Sequence, residues 1–174
     1  MRIALPQNMP TLSGVMGQLP GGKATIPATM MRMWQQIHDA LSQMAVYSAA
    51  RQLTQHLPQK AVDQEANALF QFVQKNIRYV RDPHLIEALQ TPAATLQLKS
   101  GDCDDKTILL ASLLLSIGIP VKLIVGGFEK GRYTHVWLRA KIKNHWVAMD
   151  PTEPFGMGWE PHMMSRMIMD QPNF

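Results

Sequence analysis

The chain has 174 residues and a mass of 19.6 kDa, with 46% hydrophobic and 17% charged residues, the balance of one globular domain rather than a disordered segment or two separate domains. No apolar run reaches the ~18 residues of a membrane-spanning helix. The N-terminus lacks the basic start and apolar stretch of a signal peptide, and the single cysteine excludes an intrachain disulfide, so cytoplasmic synthesis is expected. The net charge of +4 arises in the N-terminal third, where Arg2, Lys23, Arg32, Arg51 and Lys60 face Asp39 alone; no basic cluster is interleaved with aromatics, which argues against a nucleic-acid partner.

In chain order, Pro6, Pro10, Pro20, Gly21, Gly22 and Pro27 predict an extended N-terminal arm over residues 1–28. From Thr29 to about Leu57, Met30, Met33, Trp34, Ile37, Leu41, Met44, Ala45, Ser48 and Leu53 fall near a 3.6 spacing, which predicts one long amphipathic helix stopped by Pro58. Its Met and Trp stripe reads as a packing face, or as a docking face for a partner protein if left exposed. A second helix is expected over Val62–Tyr79, with Val62, Ala66, Leu69, Phe70, Val73 and Ile77 on one face. Asp82-Pro83 signals a turn, residues 84–99 suggest a short helical piece around His84–Leu89, and Pro92 opens another turn.

The third helix is the clearest element. Asp102 is a good N-cap with Asp105 three residues on, and an all-round apolar run to Ile117 predicts a buried helix ended by Gly118 and Pro120. Val121–Phe128, Tyr133–Lys141 and His145–Asp150 read as strands, and residues 155–174 as a Met- and Pro-rich tail without periodicity. Helices followed by antiparallel strands give an α+β domain over residues 29–154.

Cys103 opens the buried helix, where free N–H groups and the peptide dipoles favour a thiolate. Asp102, Asp104 and Asp105 would oppose that if they pointed at the sulfur, so helix capping is their expected role and an activated thiolate needs a cation nearby. His135 can supply it. In a hairpin, opposed residues have a constant sum of numbers. A two-residue loop at Ile142-Lys143 or a four-residue loop at Lys141–Asn144 sets His135 opposite Asp150; a two-residue loop at Lys143-Asn144 makes them diagonal neighbours on the same face. An odd loop separates them. The same phase excludes His145. The resulting Cys103, His135, Asp150 constellation suits acyl transfer: thiolate attack on a carbonyl, proton donation to the leaving amine, and a carboxylate orienting the ring. Zinc held by Cys103, its neighbouring aspartates and His135 is disfavoured, because paired ligand spacings are absent, and no cofactor is expected.

Gly101-Asp102-Cys103-Asp104-Asp105-Lys106, followed by Leu109–Leu114, resembles the cysteine motif of the transglutaminase-like superfamily. His135-Val136-Trp137 resembles its histidine motif, Trp146–Thr152 its W-x-x-x-D-P-T motif, and Ile77–Pro83 the lead-in of small bacterial and phage members. The likeness covers about residues 62–154. It implies a papain-like α+β core with the cysteine helix packed on an antiparallel sheet, and a Cys103, His135, Asp150 triad acting on amide bonds. Cys103's own N–H is the first oxyanion candidate. Gln97 stands at the offset where papain-like proteases place an oxyanion glutamine, and Tyr79 and Trp137 are candidates for the cleft.

The resulting expectation is a cysteine-dependent amide hydrolase acting on a peptide or peptidoglycan-type amide through an acyl-thioester. The competing readings are a non-catalytic or latent module of a larger assembly, such as a phage particle, docking through the arm, the Met-rich helix or the tail, and a transamidating, cross-linking enzyme.

Overall fold

The computed structural model describes residues 26–58, 60–81 and 89–173. Most of the arm expected over residues 1–28, and the helical piece expected around residue 84, lie outside these; Ile26, Pro27 and Ala28 already belong to the first helix.

The long helix expected from residue 29 is two helices. α1 spans Ile26–Leu41 and buries Met30, Met33, Trp34, Ile37 and Ala40; α2 spans Met44–Thr54 and buries Val46, Ala49, Ala50 and Leu53. The break at Ser42-Gln43 is held by the Ser42 hydroxyl donating to the Asp39 carbonyl at 2.9 Å and the Gln43 amide donating to Ala40 at 3.0 Å. The break also shifts the apolar phase, so Met44, expected inside, is 72% exposed.

α3, Val62–Asn76, buries Ala66, Leu69, Phe70 and Val73. It stops three residues short of the expected end, because Arg78–Tyr79 form a strand, β1, paired in parallel with β2, Ser100–Gly101. Pro92 does not open a turn. It occupies the first turn of α4, Pro92–Leu98, where its missing N–H costs nothing and Thr91 caps the Ala94 amide.

α5, Cys103–Ser116, is the central helix and touches every other described helix as well as β3 and β4. Its start is a reciprocal capping box: the Asp102 carboxylate accepts from the amides of Asp104 and Asp105, and the fully buried Asp105 carboxylate accepts from the amides of Asp102 and Gln90. Its end is closed by the Gly118 amide on Leu115 and the Ile119 amide on Leu114, with Gly118 at φ +84.

The sheet has the order β5-β4-β3-β6, antiparallel throughout: β3 Val121–Gly127, β4 His135–Ile142, β5 His145–Met149 and β6 Ser165–Met169. β6 lies within the segment expected to be an aperiodic tail. Its Met167 and Met169 lean on the core while Arg166 and Ile168 face outward, the alternation of an edge strand. Helices covering α5 on one side and this sheet on the other form the α+β architecture expected from the element order, with the papain-like core that the resemblance implies.

Candidate active site

Three sequence-derived residues converge where the start of α5 meets the start of β4. Cys103 is the first residue of α5, His135 the first of β4, and Asp150 follows β5. The β4–β5 register pairs Leu138 with Met149 and Ile142 with His145, which leaves Lys143-Asn144 as the two-residue turn. Of the alternatives left open by the sequence, this is the diagonal one. The imidazole and carboxylate span the diagonal: His135 Nε2 lies 2.6 Å from Asp150 Oδ2. The Asp150 side chain is 1% exposed and that of His135 13%. Oδ1 of Asp150 accepts from the Thr152 amide at 3.0 Å, which fixes the carboxylate. With Nε2 engaged by the carboxylate, Nδ1 is the ring nitrogen that remains.

That cavity has a volume of about 540 Å³ and is lined by Cys103, His135, Tyr79, Asp102, Asp104 and residues of α1 and β3. The Cys103 sulfhydryl donates to Asp104 Oδ1 at 3.6 Å. Burial pushes the thiol well above its usual range, and the carboxylates of Asp104 and Asp102 push it further; a backbone hydrogen bond from Val136 acts in the opposite direction. The acids expected to serve only as caps therefore also act on the sulfur, and the resting thiol keeps its proton at neutral pH.

The remaining candidates divide. Tyr79 lines the cavity; burial raises its hydroxyl pKa, with Cys103 and Asp102 adding to this and a hydrogen bond from Arg81 offsetting part of it. Trp137 does not line the cleft. It is fully buried and lies beneath the His135 ring, with centroids 5.8 Å apart and planes 23° from parallel. Gln97 is exposed on α4 and lines neither cavity at the site. The structure does not bring it to Cys103, because the left-handed Lys99 and the β2 strand turn the chain between α4 and α5.

Two supporting residues were not anticipated. Glu160 accepts from the Trp137 indole at 2.9 Å and from Arg139 at 2.6 and 3.1 Å, and pairs with Arg166 at 3.3 Å. Burial works to raise its carboxyl pKa, but these donors and the two guanidinium charges outweigh that and hold it below the usual range. Lys106 is nearly buried; burial lowers its ammonium pKa, and attraction to Asp150 restores part of it. Neither residue carried a sequence signal beyond its place near a motif. Asp102, Cys103 and Asp104 offer ligand atoms within 4.8 Å of one another. The Asp102 carboxylate is already engaged by two helix amides, so capping accounts for this grouping.

Residues 47–151 match the family profile of the transglutaminase-like superfamily. The chain belongs to this superfamily. Among solved structures, a candidate protease from Parabacteroides distasonis ATCC 8503 aligns with a TM-score of 0.59 at 12% identity, over 70% of this chain and 26% of that one. A candidate cysteine protease from Cytophaga hutchinsonii aligns at 0.54 and 15% identity, over 79% and 46%. A structure concerned with DNA duplex opening by the Rad4/XPC nucleotide excision repair complex aligns at 0.52 and 11%, over 82% and 45%. The chain thus spans from about a quarter to just under half of these chains, and at these identities the likeness is one of fold. Comparison with curated proteins gives no match. No described helix of this transglutaminase-like chain is long and apolar enough to cross a membrane.

Proposed function

We propose that this protein is a cysteine-dependent amide hydrolase. The observation that carries the reading is the common cavity of Cys103 and His135, with His135 held on its far nitrogen by a buried Asp150. In the free protein the sulfur is neutral and hydrogen-bonded to Asp104. On attack, Nδ1 of His135 takes the thiol proton as sulfur bonds to the carbonyl carbon. The imidazolium, stabilised by Asp150, then gives that proton to the amine nitrogen as the C–N bond breaks, leaving an acyl-thioester. Water, deprotonated by the same ring, releases the acid and regenerates the thiol. The Cys103 N–H, one of the helix-start amides without an intrahelical partner, and the Tyr79 hydroxyl are the donors we assign to the carbonyl oxygen. The substrate class is a peptide or peptidoglycan-type amide. Added hydroxylamine, by diverting the acyl group, measures how far an amine competes with water.

The test compares wild type with Cys103→Ala and His135→Ala on peptide amides and activated esters, with intact-mass detection of an acyl adduct. Hydrolysis and an adduct lost in both variants support the reading; turnover retained by Cys103→Ala ends it. A second reading, a latent or non-catalytic module, is favoured by one feature, the upward shift of the thiol. A wild-type thiol that forms no adduct with activated esters across pH 6–9 would support that alternative.

A further inference from the structure

A second cavity, of about 800 Å³, adjoins the first and shares with it Tyr79, Arg81, Thr134 and His135. It does not include Cys103, Asp102 or Asp104. Beyond the imidazole its apolar walls are Phe128, Phe155, Trp159 and Met163, with Arg81, Thr152, Glu153 and His162 adding polar groups to the lining. Phe128 is 66% exposed, and the rings of Phe155 and Trp159 stack with centroids 4.2 Å apart. A volume of this size is in the ~300–1,000 Å³ range of small-ligand sites. Open aromatic rings gathered around one hollow mark it as a place where apolar surface is meant to be covered.

The wall is fixed in advance. The Gln74 side chain donates to the carbonyls of Glu153 and Phe155 at 2.6 and 2.8 Å. The Gly158 amide donates to Ala148 at 2.8 Å, and the Met164 amide to Gly127 at 3.0 Å. A surface tied down at these points loses little conformational freedom when something binds to it.

We propose that this cavity is the subsite for the leaving-amine side of the substrate and that it takes a bulky aromatic or aliphatic side chain on the residue carrying that amine. The proposal rests on the hydrolase reading above. In that reaction the carbonyl carbon sits against sulfur and the amine nitrogen against the imidazole that protonates it. A cavity that contains the ring and excludes the sulfur therefore lies on the amine side of the scissile bond. Its aromatic walls select the side chain that follows.

The test separates binding from turnover. Titration calorimetry of the Cys103→Ala protein with Phe-Gly-Gly amide and with Gly-Gly-Gly amide, both product-like amines, should show at least a tenfold preference for the first. Trp159→Ala and Phe128→Ala, each made in that background, should reduce the preference to threefold or less; Phe128 is mostly exposed, so its replacement leaves the core alone. In the wild type, kcat/KM for amides with Phe or Leu on the leaving side should exceed that for Gly by a similar factor. Equal binding of the two peptides, or a preference untouched in both variants, overturns the subsite. Turnover without leaving-side preference overturns the subsite and keeps the hydrolase; phenylalanine-dependent binding by a chain without turnover ends the hydrolase and with it the leaving-amine assignment, keeping only an aromatic side-chain pocket.

Discussion

Asp104→Asn is the most direct probe of the electrostatics at Cys103. The substitution removes a negative charge and keeps an acceptor oxygen for the sulfhydryl. At the 3.6 Å between Sγ and Asp104 Oδ1, a thiolate and a carboxylate repel by about 1 kcal/mol with the dielectric of water and about 4–5 kcal/mol at an effective ε of ~20. Asp104 is half-buried and borders an open cavity, so the lower half of that range applies. At ~1.4 kcal/mol per unit, the thiol pKa should fall by about one to two units. A less basic thiolate is also a weaker nucleophile, with a Brønsted slope of ~0.4–0.5, so alkylation at pH 7 should accelerate by about 3- to 16-fold. The assay is the rate of iodoacetamide adduct formation from pH 6 to 10, read by intact mass. The variant's profile should be displaced to lower pH. An unchanged profile, or one displaced upward, would refute the account of Asp104 as a charge that adds to burial in raising the thiol pKa.

Asp150→Asn removes the charge that stabilises the imidazolium while preserving shape, and acyl transfer from an activated ester should fall by about 10²- to 10⁴-fold; a loss within twofold would show the carboxylate to be a purely structural partner of His135. Glu160→Gln should cost about 1–2 kcal/mol at neutral pH through weakened charge-assisted hydrogen bonds to Arg139 and Arg166. Because the folded carboxyl pKa lies below its unfolded value of ~4.3, the wild type holds this advantage in full above that value and loses it as pH falls through the folded one. The difference in Tm between the two proteins should therefore close on acidification. Gly101→Ala should destabilise by about 1–3 kcal/mol, since a Cβ there would stand 2.6 Å from Asp105 Cβ in the buried capping box; an unaltered Tm would show that the β2 backbone is free to move off α5.

Features set by neighbours in sequence were legible. The capping box needs only side chains two and three residues from the amides they bind, so Asp102 and Asp105 announce it. Hairpin parity limits how His135 and Asp150 can meet, and the two-residue turn at Lys143-Asn144 then selects the diagonal. The Thr91-Pro92 pair was a local signal as well, a cap followed by a first-turn proline, and reading it as a turn missed α4. The rest depends on contacts distant in sequence. The break at residues 42–43 hides within a continuing apolar pattern, because Met44 and Ser48 keep the spacing while the buried face moves to Val46, Ala49 and Ala50. β6 exists through its pairing with β3, about forty positions earlier, and its Met-rich composition carries little strand signal. Nothing local in the sequence requires a glycine at position 126; in the fold, a Cβ on Gly126 would stand 2.7 Å from Met163 and 2.8 Å from the Trp137 ring. That glycine makes room for the indole beneath His135, which no local pattern reveals.

The polar residues buried in α5 explain how the two layers keep the site together. Cys103, Lys106 and Thr107 stand at i, i+3 and i+4, which places them on one face of the helix. That face meets β4 and the end of β5: the Thr107 hydroxyl donates to the Val136 carbonyl at 3.2 Å, the Val136 backbone works to lower the thiol pKa, and the Lys106 charge acts on Asp150 while its ammonium donates to the Gln74 carbonyl of α3 at 3.5 Å. Val136 is thus bonded to the helix through its carbonyl, and it is the residue between His135 and Trp137. The remaining faces of α5 are almost wholly apolar and pack against the other helices, so they fix where the helix lies without fixing its rotation or axial position to an ångström. Directional bonds on the polar face supply that precision. Hydrophobic packing thereby builds the fold that this chain shares with distant relatives, while the 103, 106, 107 face ties the start of α5 to the strands that carry His135 and Asp150.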